Sequence, residues 1–425
     1  MSGILSQVGF ANETVVPPVT TVGTSTAATI GGYPFVNLVT HGSSHGLPVG
    51  SVVVLSGYTP GAWNGTWVIT AVPSVTTWNF LSTTALGPVT VHGTISASNY
   101  GSTIAGSTIT PAPSRFVTYI KESMKLDAGR IESVGIGANR RVQSSTRGVV
   151  NRRGATGTLS FEVESKGFGF WLNKIIGPVV TTGPTDSAFT HVASVSTGGP
   201  PGLLGNSFNW QGTVVGPAGP ATELVKTYIG CKVTKATFNF AVGQLLTVDI
   251  DIDAMDENYT ITKATASYPV NPELFSFAGA TIQFAGTTWD VVKSGKISID
   301  LGLSADRRFA RANTLQKEPA EASMRVIMVD LDGEFDNVLT AYNKYATSVY
   351  SQTIAQVNVA FVGKILIGVS TFPSITFNIP VGRFDGDTPT TDGPVLPTQH
   401  VSAKALWDGT NSPINCTYVT TDATP

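Results

Sequence analysis

RFVTYIKESMKLDAGRIESVGIG (residues 115–137) leads into NRRVQSSTRGVVNRRG (139–154), and that segment leads in turn into GATGTLSFEVES (154–165). The outer two segments have the composition of β-strands. The middle one is interspersed with glycine, serine and asparagine, which favour turns. Strand-like flanks around a turn-rich centre are typical of a hairpin. The stretch therefore predicts one long β-hairpin whose tip is the middle segment.

The predicted tip is rich in arginine, although the chain has few charges. Only 26 of the 425 residues are lysine or arginine, yet five of them fall within this tip. A nucleic-acid arm usually interleaves aromatic residues and belongs to a basic domain, but no aromatic residue occurs from Ile120 through Leu159. A solvated loop is a second interpretation. We favour a third, an arm that docks on a neighbouring subunit through bidentate arginine–carboxylate pairs. Its docking residues are Arg140, Arg141, Arg147, Arg152 and Arg153.

The composition predicts a mostly β protein that assembles. The 45 glycines and 25 prolines, with many threonines and valines and little helical periodicity, favour strands and turns. Charged residues make up 13 % of the chain and the formal net charge is −2. Because charge keeps folded proteins apart in solution, we expect much of the surface to be buried against other subunits. A monomer with a Ser/Thr/Gly-rich surface is the alternative. The length predicts two or three domains.

The sequence offers no set of residues for catalysis, for a metal or for a cofactor. His41 and His45 lie in a loop-like segment without a nearby acidic residue, which is a weak metal signature. The sequence has no G-x-S-x-G, HExxH, phosphate-binding loop or CxxC motif. We therefore predict no enzyme and no cofactor. Two cysteines, no secretory signal at the N-terminus and no long apolar run favour a soluble protein made in a reducing cytoplasm.

Residues 24–104 have the pattern of a compact β-module. Between 14 and 114 the chain carries no Asp, Glu, Lys or Arg, and short β-type runs alternate with turn signals. Asn64-Gly65, between two such runs, predicts a hairpin. Aromatic residues argue against disorder in this uncharged stretch. Three of them are either core residues or a sugar-binding platform: Trp63, Trp67 and Trp78.

The C-terminal part alternates strands with two predicted helices. KGFGFWLNKIIG (166–177) indicates a short amphipathic helix ending at Gly177, and GEFDNVLTAYNKYATS (333–348) indicates a second. The strand LLTVDIDIDAMDE (245–257) places Asp249, Asp251 and Asp253 on one face. This row is either a solvated strand face or an acidic wall that repels nucleic acid. A Ca²⁺ site would need the carboxylates to converge from a tight loop.

Several segments, in this order, resemble the tail tube (major tail) proteins of long-tailed, siphophage-type bacteriophages. They are GFANET (9–14), YIKESMKLDAGRIESVGIG (119–137), GATGTLSFEVESKGFGFWLNKIIG (154–177), YIGCKVTKATFNF (228–240), LGLSADRRFAR (301–311), the helix near 334–348 and VGRFDG (381–386). The resemblance covers 1–23 and 105–425, which are predicted to form one discontinuous tail tube domain. Residues 24–104 depart from it and are predicted to be an inserted β-domain that projects from the outer surface.

The resemblance implies a β-sandwich or half-barrel with one or two flanking helices. It also implies hexameric rings that stack into a tube, with the arm reaching the next ring and the aspartate row lining the DNA channel. The implied partners are further copies of the chain, the tape measure protein, the tail terminator and distal tail or baseplate proteins. DNA would be a partner only in transit, and no membrane partner is expected. The implied location is the virion tail, assembled in the host cytoplasm. The alternatives are a decoration or adhesin protein that binds host glycans through 24–104, and a carbohydrate-active β-sandwich enzyme.

Overall fold

A computed structural model describes most of the chain. The described residues are 7–12, 14–15, 19–30, 33–41, 52–56, 58–59, 61–74, 77–82, 86, 94–97, 108–109, 115–135, 142, 146–185, 188–195, 207–217, 223–259, 263–304, 307–308, 314–316, 319–335, 354–363, 373–386, 389, 393 and 396–425. They fold into two compact units. One contains Met1–Arg115, Phe208–Ile229 and Asn258–Ala266, and the other contains Phe116–Ser207, Gly230–Glu257 and Ser267–Pro425.

The structure is mostly β, as the composition predicted. The strands up to residue 109 are β1 Val8–Asn12, β2 Thr14–Val15, β3 Val19–Ile30, β4 Tyr33–His41, β5 Val52–Ser56, β6 Gly65–Ser74, β7 Thr77–Ser82, β8 Thr94–Ala97 and β9 Thr108–Ile109. The next group is β10 Arg115–Phe116, β11 Tyr119–Glu122, β12 Lys125–Glu132, β13 Gly148–Glu162, β14 Val179–Thr185, β15 Ala188–Ser194, β16 Phe208–Val215, β17 Glu223–Ala241, β18 Thr247–Ala254 and β19 Asp256–Asn258. The last group is β20 Ala280–Phe284, β21 Thr287–Thr288, β22 Val292–Asp300, β23 Leu303–Ser304, β24 Ala320–Glu321, β25 Val326–Glu334, β26 Ile354–Val362, β27 Ser374–Gly386, β28 Thr398–Ala405 and β29 Asn415–Thr420.

The first unit contains a separate six-stranded sheet with the strand order β3-β4-β7-β6-β5-β8. The hairpin predicted around Asn64-Gly65 is present, since β5 and β6 pair antiparallel from Leu55↔Gly65 to Val52↔Val68. The Asn64 amide caps this turn by accepting from the Tyr58 N–H at 2.8 Å and donating to the Tyr58 carbonyl at 3.0 Å. The sheet begins with β3, upstream of the predicted start at residue 24.

The second unit contains a long antiparallel ladder that doubles back on itself. Going outward from β27, the first half of this strand pairs with β29, its second half pairs with β28, and its other edge pairs with β26. Beyond β28 the ladder continues through β25, β22, β17, β18 and β13 to β11 and β12. Beyond β29 it continues to β15 and β14, and beyond β26 to β20. The strand β27 therefore links two layers.

Aromatic side chains fill the space between these layers. Phe238 on β17 packs against Phe377 on β27 with ring centroids 4.7 Å apart. Phe240 on β17 packs edge-on against Phe361 on β26 at 5.2 Å. All four are buried, and they alternate with outward-facing polar residues by the two-residue strand period. The unit is thus a β-sandwich whose layers share a strand.

The helix predicted at 166–177 is present as α1, Gly169–Ile175. Gly177 follows the end of the helix, with φ at +148°, and a Cβ there would lie 2.6 Å from the Ser194 carbonyl oxygen. Its other side meets the C-terminal residue, because a Cβ on Gly169 would lie 2.6 Å from the Pro425 Cα. The helix is therefore buried on nearly all sides, and the amphipathic pattern predicted for it is wrong. The buried ammonium group of Lys174 reaches the Ser207 carbonyl at 3.4 Å.

The helix predicted at 333–348 lies almost wholly outside the described residues, which stop at 335 and resume at 354. Its first two residues belong to β25, which extends through Glu334. Within the described ranges, no helix is long and apolar enough to cross a membrane.

Candidate functional site: the arm and the polar face of the sheet

The hairpin predicted from 115–165 is present. The strand β12 pairs antiparallel with β13 along its whole length, with a register shift at Gly129. A Cβ on Gly129 would lie 2.6 Å from the Cγ of Arg152, so the missing side chain leaves room for the stem of this arginine. The part of the hairpin comprising residues 128–152 is here named the arm, and its described residues are 128–135, 142 and 146–152.

The arm exposes apolar side chains on both of its faces. Ile131 and Val149 lie directly opposite each other and are 59 % and 66 % exposed. Val150 lies on the other face, and Val134 is 97 % exposed. A two-stranded ribbon on its own is marginally stable in water, and a cluster of exposed apolar residues marks an interaction site. The arm therefore has the character of an interface element.

Sequence reasoning overlooked this apolar surface because it followed the arginines. A signal was nevertheless present in the consecutive Val149 and Val150. A strand with one buried face alternates apolar and polar residues, and two adjacent valines break that alternation. The pattern indicates a strand that carries an apolar side chain on each of its two faces.

Two of the five predicted docking arginines form ion pairs within their own subunit. Arg152 Nη2 lies 3.0 Å from Asp127 Oδ1, with both side chains well exposed. Arg153 Nη2 lies 2.8 Å from Asp256 Oδ1. Burial raises the pKa of the Asp256 carboxyl, and the Arg153 guanidinium opposes this rise. These arginines therefore brace the base of the arm, and a further contact with a neighbouring subunit stays a prediction.

Of the other three arginines, the structure describes Arg147. Arg147 is exposed, and its Nη1 donates a hydrogen bond across the arm to the Gly135 carbonyl at 3.3 Å. No carboxylate in the described part of the chain pairs with it. Arg140 and Arg141 lie outside the described residues. Arg147 is thus the described member of the set whose charge remains available to a partner.

Asp249 and Asp251 lie on one face of β18 and are half-buried, as the strand period predicts. Asp249 accepts hydrogen bonds from Ser160 Oγ at 2.5 Å and from Asn239 Nδ2 at 2.8 Å. Asp251 accepts one from Thr158 Oγ1 at 2.6 Å. Hydroxyl and amide donors of the neighbouring strands thus hold both carboxylates on the side of the sheet opposite the aromatic core.

Asp253 belongs to the same row but is only 2 % exposed. Gln316 Nε2 covers it and donates to its Oδ2 at 2.6 Å. Burial raises the pKa of Asp253 to about 6, although the Gln316 hydrogen bond and the Arg308 charge act in the opposite direction. This burial corrects the sequence prediction, because a carboxyl beneath another segment of its own chain cannot line a channel beside Asp249 and Asp251.

The polar face continues across β22, β25 and β28 as a ladder of paired side chains. Lys296 Nζ lies 3.5 Å from Asp330 Oδ2, and Ser402 Oγ donates to Asp330 Oδ1 at 2.6 Å. His400 Nδ1 lies 2.8 Å from Asp332 Oδ1. Carboxylates therefore alternate with cationic and hydroxyl groups on this face. Among the residues that the structure describes, no group of three or more His, Cys, Asp or Glu side chains could hold a metal ion.

Two of the three tryptophans proposed for a sugar platform are core residues. Trp63 and Trp78 are fully buried, and both pack against Phe80 with ring centroids 5.7 and 5.9 Å apart. Trp67 is half-buried, packs against Phe80 with tilted rings 4.5 Å apart and donates its Nε1–H to the Trp63 carbonyl. This burial rules out the alternative that Trp63 and Trp78 belong to a sugar platform, because such a platform needs open ring faces. The interpretation that at least two of the three are core is confirmed.

Comparison with known proteins gives one assignment. A family model described as phage tail tube protein matches residues 5–405. No curated protein matches the chain. The matched range contains nearly all the described strands, including the hairpin that carries the arm. The chain therefore belongs to the phage tail tube protein family and is a structural protein of a phage tail.

Proposed function

We propose that six copies of this chain close into a ring, and that stacked rings form the tube through which DNA leaves the virion. Family membership supports a tube, and a head-to-tail interface that closes by rotation gives rings. The single observation that carries the proposal for this chain is the arm, which exposes Ile131 and Val149 without a covering element in its described part. A second copy of the chain is the natural occupant of such a repeated contact.

The arm is proposed to connect one ring to the next. Its apolar residues would supply buried area, and Arg147 would add charge-assisted contacts to carboxylates of the neighbouring ring. Arg140 and Arg141 are proposed to act with it. Arg152 and Arg153 contribute differently, since their ion pairs hold the base from which the arm projects.

Ring closure is proposed to bury further exposed surface of the sandwich. Residues 180–185 of β14 are all exposed, and an exposed strand invites pairing with another chain. With only 13 % charged residues, the chain has little electrostatic protection against such contacts. Assembly into a closed ring would remove this hazard.

The polar face of the sheet is proposed to line the channel, with Asp249 and Asp251 among its charged residues, which also include Lys296, Asp330 and Asp332. Fixed carboxylates repel DNA phosphates and would allow the genome to slide without binding. Hydrogen bonds from Ser160 and Thr158 hold them in place. Asp253 is not part of this proposal.

Residues 24–104 are proposed to form an inserted domain on the outside of the tube. The strands on either side of the six-stranded sheet pair with each other, with Thr14↔Ile109 and Val15↔Thr108. The chain therefore leaves and returns at one place, which is what an insertion requires. The alternative function is a decoration or adhesin protein that binds host glycans through this module, and it has less support because Trp63 and Trp78 are buried.

The proposed partners besides the chain itself are the tape measure protein, the tail terminator and the distal tail or baseplate proteins. Assembly is proposed to take place in the cytoplasm of the host bacterium. A siphophage-type, non-contractile tail follows from the resemblance and is likewise a proposal.

Negative-stain electron microscopy of the purified chain tests the ring and the arm together. The wild-type chain is expected to form rings and tubes. The double variant Ile131→Ser/Val149→Ser is expected to fold normally, because both side chains are exposed, and to form no tubes. Ile120→Ser is the matched control, since Ile120 is 60 % exposed on β11, outside the arm. Tubes of normal length from the double variant would contradict the docking role, and a persistently monomeric wild-type chain would contradict the proposed function.

A further inference from the structure

The strand β13 loses its second neighbour where the arm begins. Along residues 155–162 it pairs with β18 on one edge, while β12 and β11 occupy the other edge. The partner strand β18 ends at Ala254, opposite Ala155. Residues 148–152 therefore continue as half of a two-stranded ribbon within the described part of the chain.

A separate segment supports β13 at this transition. It is here named the strap and consists of the described residues 307–308, 314–316 and 319. The Arg153 N–H donates to the Thr314 carbonyl at 2.8 Å, and the Gln316 N–H donates back to the Arg153 carbonyl at 3.3 Å. Leu315 forms an isolated parallel bridge with Arg153. The strap thus adds one last strand position on the free edge of β13.

Side chains reinforce this backbone contact. Arg308 Nη1 donates to the Arg153 carbonyl at 3.0 Å, and its Nη2 donates to Gln316 Oε1 at 3.1 Å. Gln316 in turn donates to Asp253 at 2.6 Å. One planar guanidinium therefore bridges the base of the arm and the strap, and the buried amide ties both to β18.

The strap is also anchored at its far end. The buried ammonium of Lys232 donates to the Pro319 carbonyl at 3.1 Å. The short strands β23 and β24 close the loop that carries the strap, with Leu303 opposite Glu321. Gly154 makes room for the contact, because a Cβ there would lie 3.2 Å from both Arg308 Nη2 and Gln316 Oε1. Several independent features therefore converge on the residue from which the arm projects.

We propose that the strap acts as a clasp that fixes the direction of the arm, and that Arg308 and Gln316 are positioning residues for ring-to-ring assembly. This rests on the proposed function, in which the arm docks on the next ring. The clasp contacts Arg153 at the base and leaves Ile131 and Val149 free for the neighbouring subunit. It lowers the cost of assembly, because a preorganised arm loses less conformational freedom on docking.

Two measurements on the same variants test the proposal. Arg308→Lys keeps a cation but cannot bridge two acceptors as a planar fork, and Gln316→Ala removes the link to Asp253. Amide hydrogen exchange of the soluble protomer is expected to become about tenfold faster at residues 148–153, the change that follows loss of one charge-assisted hydrogen bond. Tubes are expected to be fewer and shorter. Arg383→Ala, which removes the ion pair with Asp385 at 2.8 Å on β27, is the control and is expected to change neither.

The outcomes separate this proposal from the proposed function. Unchanged exchange at 148–153 in both clasp variants would overturn the clasp. Faster exchange with normal tubes would also overturn its positioning role, provided that Ile131→Ser/Val149→Ser abolishes tubes. If the arm variant itself forms normal tubes, the docking function fails and the role of the clasp in assembly fails with it. Faster exchange together with shortened tubes in the clasp variants, with neither change in Arg383→Ala, supports the proposal.

Discussion

Replacing Asp253 with asparagine is expected to stabilise the protein at neutral pH. The carboxyl is 2 % exposed, and its pKa is raised by burial from 3.8 to about 6. Between these two values the folded state holds a proton that the unfolded state has released. Stability therefore falls as the pH rises through this window. At 1.36 kcal/mol for each pH unit, the ionised carboxyl costs ~3 kcal/mol at pH 7.5.

The asparagine keeps the shape of the side chain and an oxygen for the Gln316 donor, but it cannot ionise. Its amide nitrogen has no evident acceptor, since Asp253 Oδ1 has no hydrogen-bond partner within the described residues, and this offsets about 1 kcal/mol of the gain. At pH 4.5 the wild-type penalty is itself only ~1 kcal/mol. The advantage of Asp253→Asn is thus expected to grow by ~2 kcal/mol between pH 4.5 and pH 7.5.

Urea unfolding of the soluble protomer at several pH values measures this difference. Asp249→Asn is the matched control on the same strand, where Ser160 and Asn239 donate to the carboxylate. It is expected to lose stability, because an amide cannot accept from both donors as well as a carboxylate does. An Asp253→Asn variant whose stability difference is independent of pH would refute the reasoning, because that result would mean that the buried carboxyl does not change its protonation in this range.

Three further predictions concern packing, the inserted module and the nature of the ring contact. Gly157→Ala is expected to destabilise the protein by about 2 kcal/mol, because its Cβ would lie 2.5 Å from the Met124 Cα. Gly148→Ala, whose Cβ would have no atom within 4 Å, is expected to be neutral or slightly stabilising. Thermal unfolding of the two variants compares these effects. Replacing residues 16–107 by a short linker between β2 and β9 is expected to leave tubes of smaller diameter in electron micrographs, and failure to fold would show that the module is integral. Tubes are expected to persist in 1 M NaCl, because apolar arm residues are expected to hold the rings together, whereas charge pairs are screened within ~3 Å at this salt concentration. Dissociation of the tubes on adding salt would instead assign the contact between rings to the arginines.

The elements that the sequence predicted well are those with strong local patterns. The strand carrying Asp249 alternates half-buried and buried residues from Thr247 to Ile252, and its neighbour β17 alternates exposed or half-buried residues with buried ones from Lys235 to Phe240. The helix α1 is bounded by Gly177, whose positive φ and close contact with Ser194 leave no room for a side chain. In each case the information lies within a dozen residues of the element itself. The amphipathic character of α1 was mispredicted because the residue that covers it, Pro425, is far along the chain.

The candidate site was predicted less well, because its geometry depends on long-range contacts. Period-two alternation correctly places Asp253 in one row with Asp249, but it cannot show that Gln316 will cover one end of that row. Likewise, no local pattern indicates that Arg153 pairs with Asp256 of its own subunit. No local pattern links residue 153 to residues 314–316. Contacts of this kind become visible only in the folded chain.

The placement of the arginines follows from where each kind of interaction is effective. At the base of the arm, Arg153 is half-buried and lies beside a carboxylate in a partly desolvated site, where an ion pair with good geometry also directs the chain. In the described part of the arm, Ile131 and Val149 are exposed to water, and an exposed ion pair there contributes at most about 1 kcal/mol. Burying Ile131 and Val149 against a neighbour contributes more, at roughly 1.5–3 kcal/mol for each side chain. We therefore expect charge to orient the arm and apolar contact to hold it to a neighbouring ring.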